Sequence, residues 1–168
     1  LGILGITIPE EYGGSGGDEL SYILAVEELA RVDGSHGLIL AAHVSLGAYP
    51  ILTYGSESQK QKYLPPLCDG SGLGAFGLTE PNAGSDLGAL TTRAVDDGEV
   101  FVVNGQKVWT SYAMIADLCF CYVRTDPEAP KHKGISVLII SLDTPGLEVR
   151  PLRHITGGVE FAEVFLTD

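Results

Sequence analysis

Residues 75 to 86 read Ala75-Phe76-Gly77-Leu78-Thr79-Glu80-Pro81-Asn82-Ala83-Gly84-Ser85-Asp86. A strand ends at Leu78-Thr79, and a loop of small and polar residues follows it. Such a loop offers backbone N–H groups and hydroxyls at close range, which suits anionic oxygens of a phosphate or of a charged ring. Taken alone, the stretch also reads as a turn at a strand end. It stands where the chain changes period: the spacing is helical before about residue 72 and strand-like from Gly74 on.

Toward the N-terminus, residues 7 to 17 (TIPEEYGGSGG) form a loop rich in Pro and Gly. A helix follows, with Asp18 or Ser21 near its start. Leu20, Ile23, Leu24, Val26, Leu29 and Ala30 leave it apolar almost all round, which predicts a buried helix. Asp33-Gly34-Ser35 breaks it. A second helical stretch runs from about His36 to Tyr49 and stops before Pro50. A third starts at Ser56, where Ser56 and Gln59 make a capping box, and ends around Pro65-Pro66.

Toward the C-terminus, Glu99 to Val103 and Gln106 to Trp109 flank Asn104-Gly105. That dipeptide between two such runs predicts a hairpin turn, because both turn residues must accept positive φ. Asp97-Gly98 is a second turn of this kind. Leu118 to Arg124, Ile135 to Ser141, Leu147 to Leu152 and Val159 to Leu166 read as further strands, separated by turn clusters. The expected class is α+β: a helical segment over residues 1–72, then an antiparallel β-barrel or sandwich over residues 73–168. There is no internal repeat and no low-complexity tract.

Hydrophobic residues make up 45% of the chain and charged residues 19%, which is globular rather than disordered composition. The formal net charge of -12 argues against nucleic acid or an anionic membrane as partner, since both need clustered Lys and Arg. No uninterrupted apolar run reaches the ~18 residues of a spanning helix. Leu1 to Ile6 lacks the basic region and cleavage site of a signal peptide. Cys68, Cys119 and Cys121 are odd in number and form no CxxC. Cys119 and Cys121 lie two apart on a strand, so both face one side, as buried thiols in a reducing compartment would.

Three patterns imitate chemistry. Gly72 to Gly77 matches GxGxxG, but a helix precedes it and Pro81 with a polar loop follows, the reverse of a dinucleotide-binding turn. Gly13-Gly14-Ser15-Gly16-Gly17 matches the nucleophile elbow. Pro9 makes the preceding segment a poor central strand, and no triad partner is placed. His36 and His43 share a helical face at a spacing of seven, without HExxH and without a third metal ligand.

The stretch from Gly77 to Asp86 closely resembles the acyl-CoA dehydrogenase signature G-x-T-E-P-x-A-G-S-D. Lys107-Val108-Trp109-Thr110-Ser111 is similar to that family's second flavin-contact strand. Ile8-Pro9-Glu10-Glu11-Tyr12-Gly13-Gly14-Ser15-Gly16 resembles a loop of its first helical domain. The segment from Tyr54-Gly55-Ser56 to Tyr63-Leu64-Pro65 resembles the helix leading into its β domain. The resemblance spans nearly the whole chain in the right order.

The resemblance implies part of an N-terminal helical domain, a flavin-binding middle β domain, and a C-terminal helical bundle that lies outside this sequence. It implies FAD as cofactor, with Phe76, Leu78, Thr79, Gly84 and Ser85 around the pyrimidine edge and pyrophosphate. Trp109 would pack on the flavin, and either Thr110 or Ser111 would reach N5. Ser85 would also face the pantetheine arm of an acyl-CoA. Tyr112 is bulkier than the residue often found there, which implies a reshaped cavity.

The implied reaction is α,β-dehydrogenation of an acyl-CoA thioester in fatty-acid or branched-acyl catabolism. The general base is expected from the missing bundle. Of the carboxylates near the motifs, Glu27 and Glu80, the second reads as a structural hydrogen-bonder. The implied partners are an electron-transfer flavoprotein and further copies in a homodimer or homotetramer, in bacterial cytoplasm or mitochondrial matrix. An oxidase or flavin monooxygenase on the same scaffold, and a non-catalytic binding subunit, are the alternatives.

Overall fold

The computed structural model describes residues 2–168, which form two compact units, one ending at Leu73 and the other running Gly74–Asp168.

The first unit is helical. Its opening loop folds back on itself and buries Ile8, and the Tyr12 hydroxyl donates to the Glu57 carboxylate at 3.0 Å. Helix α1 spans Glu19–Val32, and the Asp18 side chain caps it by accepting from Ser21 N at 2.8 Å. Asp33 ends α1 and caps the next helix, accepting from Ser35 N at 2.7 Å.

The second helical stretch does not stop at Pro50. It runs as α2 (Gly34–Ala42), a π-turn (His43–Ala48) and α3 (Tyr49–Tyr54) without a break. Pro50 lacks an N–H and would crowd the carbonyl four residues back, and the wider π-turn just before it relieves that conflict. This 21-residue helix is long and apolar enough to cross a membrane by length and composition. Its buried residues Gly37, Leu40, Val44, Gly47, Ala48 and Ile51 recur every three or four positions, as on the core-facing stripe of a globular helix.

Helix α4 (Glu57–Asp69) begins with the capping box expected at Ser56, whose N–H donates to Gln59 Oε1 at 2.8 Å. It continues through Pro65 and Pro66 and stops only at Gly70, which takes φ 81°. Burial of Leu64, Leu67 and Cys68 holds the last turn on the core, which outweighs the two missing donors. The expectation of a buried α1 is also corrected: only Tyr22 is buried, and Leu20, Ile23 and Leu24 are half exposed or more. An amphipathic count measures how apolar a helix is and cannot say what lies against each face.

The second unit is a seven-stranded, mostly antiparallel sheet. The strands are β1 (Gly74–Gly77), β2 (Arg93–Asp96), β3 (Phe101–Ser111), β4 (Leu118–Arg124), β5 (Ile135–Ser141), β6 (Leu147–Leu152) and β7 (Phe161–Leu166). β5 pairs antiparallel along one edge of β4, while β1 and β2 share the other edge and run parallel to it. From there the order continues β2-β3-β7-β6. Ala75, Ala94, Cys119, Cys121, Val123, Ala162 and Val164 form the core of this unit.

The hairpin turn lies at Asp97-Gly98, where β2 meets β3 with Asp96 opposite Phe101. Asn104-Gly105 is not a turn. β3 runs straight through it and changes partner there: Phe101 to Asn104 pair with β2, and Gly105 to Ser111 pair with β7. A Cβ on Gly105 would lie 2.4 Å from Thr92 Oγ1 and 2.7 Å from Thr92 Cα. The glycine therefore serves a close backbone approach inside a strand, the other use a strand makes of glycine.

Candidate functional site

β1 and β2 occupy the same edge of β4, one after the other. The chain between them, residues 78 to 92, leaves that edge and returns to it as a loop. Three anchors hold the loop. Glu80 and Ala83 exchange backbone hydrogen bonds at 3.0 and 3.1 Å, closing a tight turn over Pro81-Asn82. Arg124 donates to the carbonyls of Gly88 at 2.8 Å and Leu90 at 3.2 Å, and to Lys131 O at 2.9 Å.

The third anchor is a buried ion pair. Lys107 Nζ donates to Glu80 Oε1 at 2.8 Å and to Leu78 O at 3.2 Å. The Glu80 carboxylate also accepts from Thr91 N at 2.6 Å, Thr91 Oγ1 at 2.9 Å and Thr92 N at 2.9 Å. Burial opposes ionisation of Glu80, but Lys107 and the Thr91-Thr92 segment outweigh it and hold the carboxyl at about 2.

The tip of the loop is open. Gly84 and Ser85 are exposed, and a Cβ built on Gly84 would meet nothing within 4 Å. Phe76 lies half-buried on β1 with its ring edge-on to Tyr122, centroids 5.1 Å apart. Leu78 and Thr79 follow at the strand end, also half-buried. Val108 N donates to Thr79 O at 2.8 Å, so the loop entry and the Trp109 segment of β3 are stitched together.

That segment carries a β-bulge. Lys107 pairs with Val164 and Thr110 with Ala162, so three steps on β3 oppose two on β7. Trp109 sits in the bulge at φ 62°. Simple alternation would put Lys107, Trp109 and Ser111 on one face. The extra residue resets the phase: Lys107 and Thr110 are both wholly buried, while Trp109 is 54% exposed and Ser111 is exposed. Trp109 packs edge-on against Phe161 at 5.8 Å, and Phe161 against His154 at 5.6 Å. His154 in turn pairs with Glu160, and Tyr112 N donates to Glu160 O at 2.7 Å.

The two hydroxyls after Trp109 thus have opposite surroundings. Thr110 Oγ1 is buried with no hydrogen-bond partner. Ser111 faces outward beside Trp109. Among the described residues, the hydroxyls of Thr79, Ser85 and Ser111 make no internal hydrogen bond and remain available to a ligand.

Other candidates are placed elsewhere. Gly74 to Gly77 of the GxGxxG match is strand β1, and no helix follows it closely. Ser15 Oγ donates to Gly2 O at 2.8 Å in its loop. His36 lies against Asp33 at 3.2 Å, whereas the His43 ring reaches Leu67 O at 2.8 Å and burial pushes its pKa down. Glu27 is exposed on α1. Cys119 and Cys121 are buried on β4; the hydrogen-bonded Cys121 thiol and burial push Cys119 well up. Sequence reasoning missed the Lys107–Glu80 pair and Arg124, because nothing local marks a charged residue as one that will be buried with a partner far along the chain.

Comparison with known proteins shows the family. The family models for the acyl-CoA dehydrogenase N-terminal and middle domains match residues 1–71 and 75–168. The chain is 48% identical over its full length to the probable acyl-CoA dehydrogenase YngJ of Bacillus subtilis, covering 45% of that protein. It is 39% identical over its full length to the caffeyl-CoA reductase-Etf complex subunit CarC of Acetobacterium woodii, again covering 45%. The structure of a glutaryl-coenzyme A dehydrogenase in complex with glutaryl-CoA superposes with a TM-score of 0.91 at 40% identity, over 99% of this chain and 43% of that one. The chain spans about half the length of the curated relatives it matches. On matches that run across both of its units, this chain belongs to the acyl-CoA dehydrogenase family.

Proposed function

We infer that the whole protein is an FAD-dependent acyl-CoA dehydrogenase and that residues 76–111 form much of its flavin site. The observation that carries this reading is the Val108–Thr79 hydrogen bond, which brings the loop with its free hydroxyls beside the outward-facing Trp109.

The residues fit the group. Thr79 stands at the loop entry with a free hydroxyl, where it would hold the ring edge that gains negative charge. Phe76 and Leu78 flank it. Gly84 and Ser85 offer an open backbone and a hydroxyl to the pyrophosphate, and Ser85 also faces the acyl-CoA arm. Trp109 supplies an aromatic wall. Ser111, not Thr110, supplies the hydroxyl near the reacting edge, because the bulge turns Thr110 into the core. When bound, FAD supplies the acceptor for the hydride that leaves the β carbon of the acyl thioester.

Neither carboxylate of this chain near the motifs suits the proton abstraction. Glu80 is buried and its oxygens already accept four hydrogen bonds, and Glu27 is exposed on α1. A base must reach the α proton within hydrogen-bond distance, and the family reading assigns it to a residue outside 1–168. Electrons would pass to an electron-transfer flavoprotein, as the name of the Acetobacterium relative suggests. The protein would assemble as a dimer or tetramer, in bacterial cytoplasm or mitochondrial matrix.

The test is a visible spectrum of the full-length protein before and after anaerobic addition of acyl-CoAs of several lengths. Bleaching of a flavin band by one of them is the expected result. A flavin that never bleaches would overturn the reaction class, and a colourless protein that takes up no FAD would overturn the site.

A further inference from the structure

Among the described residues, Lys107 and Glu80 form the one ion pair with both side chains buried, at 0% and 4% exposure. Such a pair is a poor way to gain stability, since apolar residues of the same volume often serve as well or better. What an apolar pair lacks is hydrogen-bonding capacity. Lys107 Nζ satisfies the Leu78 carbonyl at the loop entry, and Glu80 satisfies the N–H groups of Thr91 and Thr92 at the loop exit. One knot therefore ties β3, the entry and the exit of the 78–92 loop. The residue after Lys107 makes the hydrogen bond to Thr79, and the residue after that is Trp109.

We propose that Lys107 and Glu80 are positioning residues, which fix the loop carrying Thr79, Gly84 and Ser85 against the strand carrying Trp109 and Ser111. The pair touches no ligand; it acts by setting the distance between two sets of ligand contacts. This rests on the flavin reading above and adds to it two residues and their task.

The reading and the proposal separate in one experiment on the full-length protein. Apoprotein is reconstituted with FAD, and the dissociation constant, the flavin absorption band and the thermal midpoint of the apoprotein are measured together. Wild type must take up FAD; if it does not, the flavin reading fails and the pair has nothing to position. Lys107→Met leaves Glu80 buried alone, and is expected to lower the midpoint and weaken FAD binding at least about tenfold through lost preorganisation.

The deciding variant is Glu80→Gln with Lys107→Met, which buries no lone charge. Its midpoint should return toward wild type while FAD binding stays weak and the flavin band lies away from its wild-type position. Should Lys107→Met fail to fold, this double variant carries the comparison by itself. Ile140→Ala, a truncation on β5 that packs against the core of the same unit, should lower the midpoint without changing FAD affinity. The proposal is overturned if binding recovers together with stability in the double variant. It is also overturned if Ile140→Ala weakens FAD binding as much as Lys107→Met.

Discussion

Trp109 rests edge-on against Phe161, centroids 5.8 Å apart at 83°, and it does so from a β-bulge in the left-handed region. The bulge turns the ring out of the sheet, and Phe161 limits how far it can swing. Trp109 is the single tryptophan of residues 1–168, so within them tryptophan fluorescence reports on this place alone. Phe161→Ala should red-shift and broaden the emission as water reaches the indole, and should cost about 1–3 kcal/mol of stability. Fluorescence-monitored urea unfolding reads both. An unchanged emission maximum would mean that Phe161 does not hold the ring.

Ser111→Ala and Thr110→Val should behave oppositely, although the two residues are neighbours. Thr110→Val removes a buried hydroxyl that has no partner, and should be neutral or stabilising by about 1 kcal/mol, with flavin binding unchanged. Ser111→Ala removes a free, outward-facing hydroxyl. It should leave stability within about 0.5 kcal/mol of wild type. If residues 76–111 hold the flavin as proposed, it should slow flavin reduction in the full-length protein by about tenfold or more. Stopped-flow bleaching together with chemical denaturation distinguishes the two, and a reversed pattern would mean that the bulge does not set which hydroxyl reaches the flavin.

Glu80 gives stability an acid limb. Its carboxyl lies at about 2 in the folded protein, below its ordinary value of 4.5. A depressed acid contributes stability that is complete above the unfolded value and is lost as pH falls through the folded one. The contribution is about 3 kcal/mol, lost between about pH 4.5 and pH 2. Unfolding free energy measured across that window should fall steeply in wild type and more gently in Glu80→Gln. Equal slopes would show that other carboxylates dominate.

Gly105 has no room for a side chain. Gly105→Ala would drive its methyl into Thr92, and should destabilise the sheet by about 2–3 kcal/mol. The same change in a two-residue hairpin turn would cost through φ alone, and hydrogen exchange tells the cases apart. Loss of protection should extend to Arg93–Asp96 and Phe161–Leu166, the two partners of β3 on either side of Gly105.

Much of this protein is written locally. Strands β4, β5 and β6 fall where alternation and turn residues predict them, because each is short, regular and bounded by its own breakers. The caps at Asp18 and Ser56 are equally local, each a hydrogen bond across three residues. The signature from Gly77 to Asp86 identified the family.

The tertiary structure decided what depends on distant neighbours. Asn104-Gly105 carries a turn signal, yet whether a glycine turns the chain or admits another backbone is settled by Thr92 beside it. Pro50, Pro65 and Pro66 each mark a helix end by propensity, and were overruled by a π-turn and by burial of Leu64 and Leu67. The outward faces of α1 depend on what packs there, which spacing does not encode. One bulge against β7 decided that Thr110 is buried and Ser111 exposed, and the partner of Lys107 lies 27 residues away. Sequence determined the elements and the family because propensity, capping and alternation act over a few residues. Burial, strand partners and charge pairing awaited the fold because they are properties of segments that meet only in space.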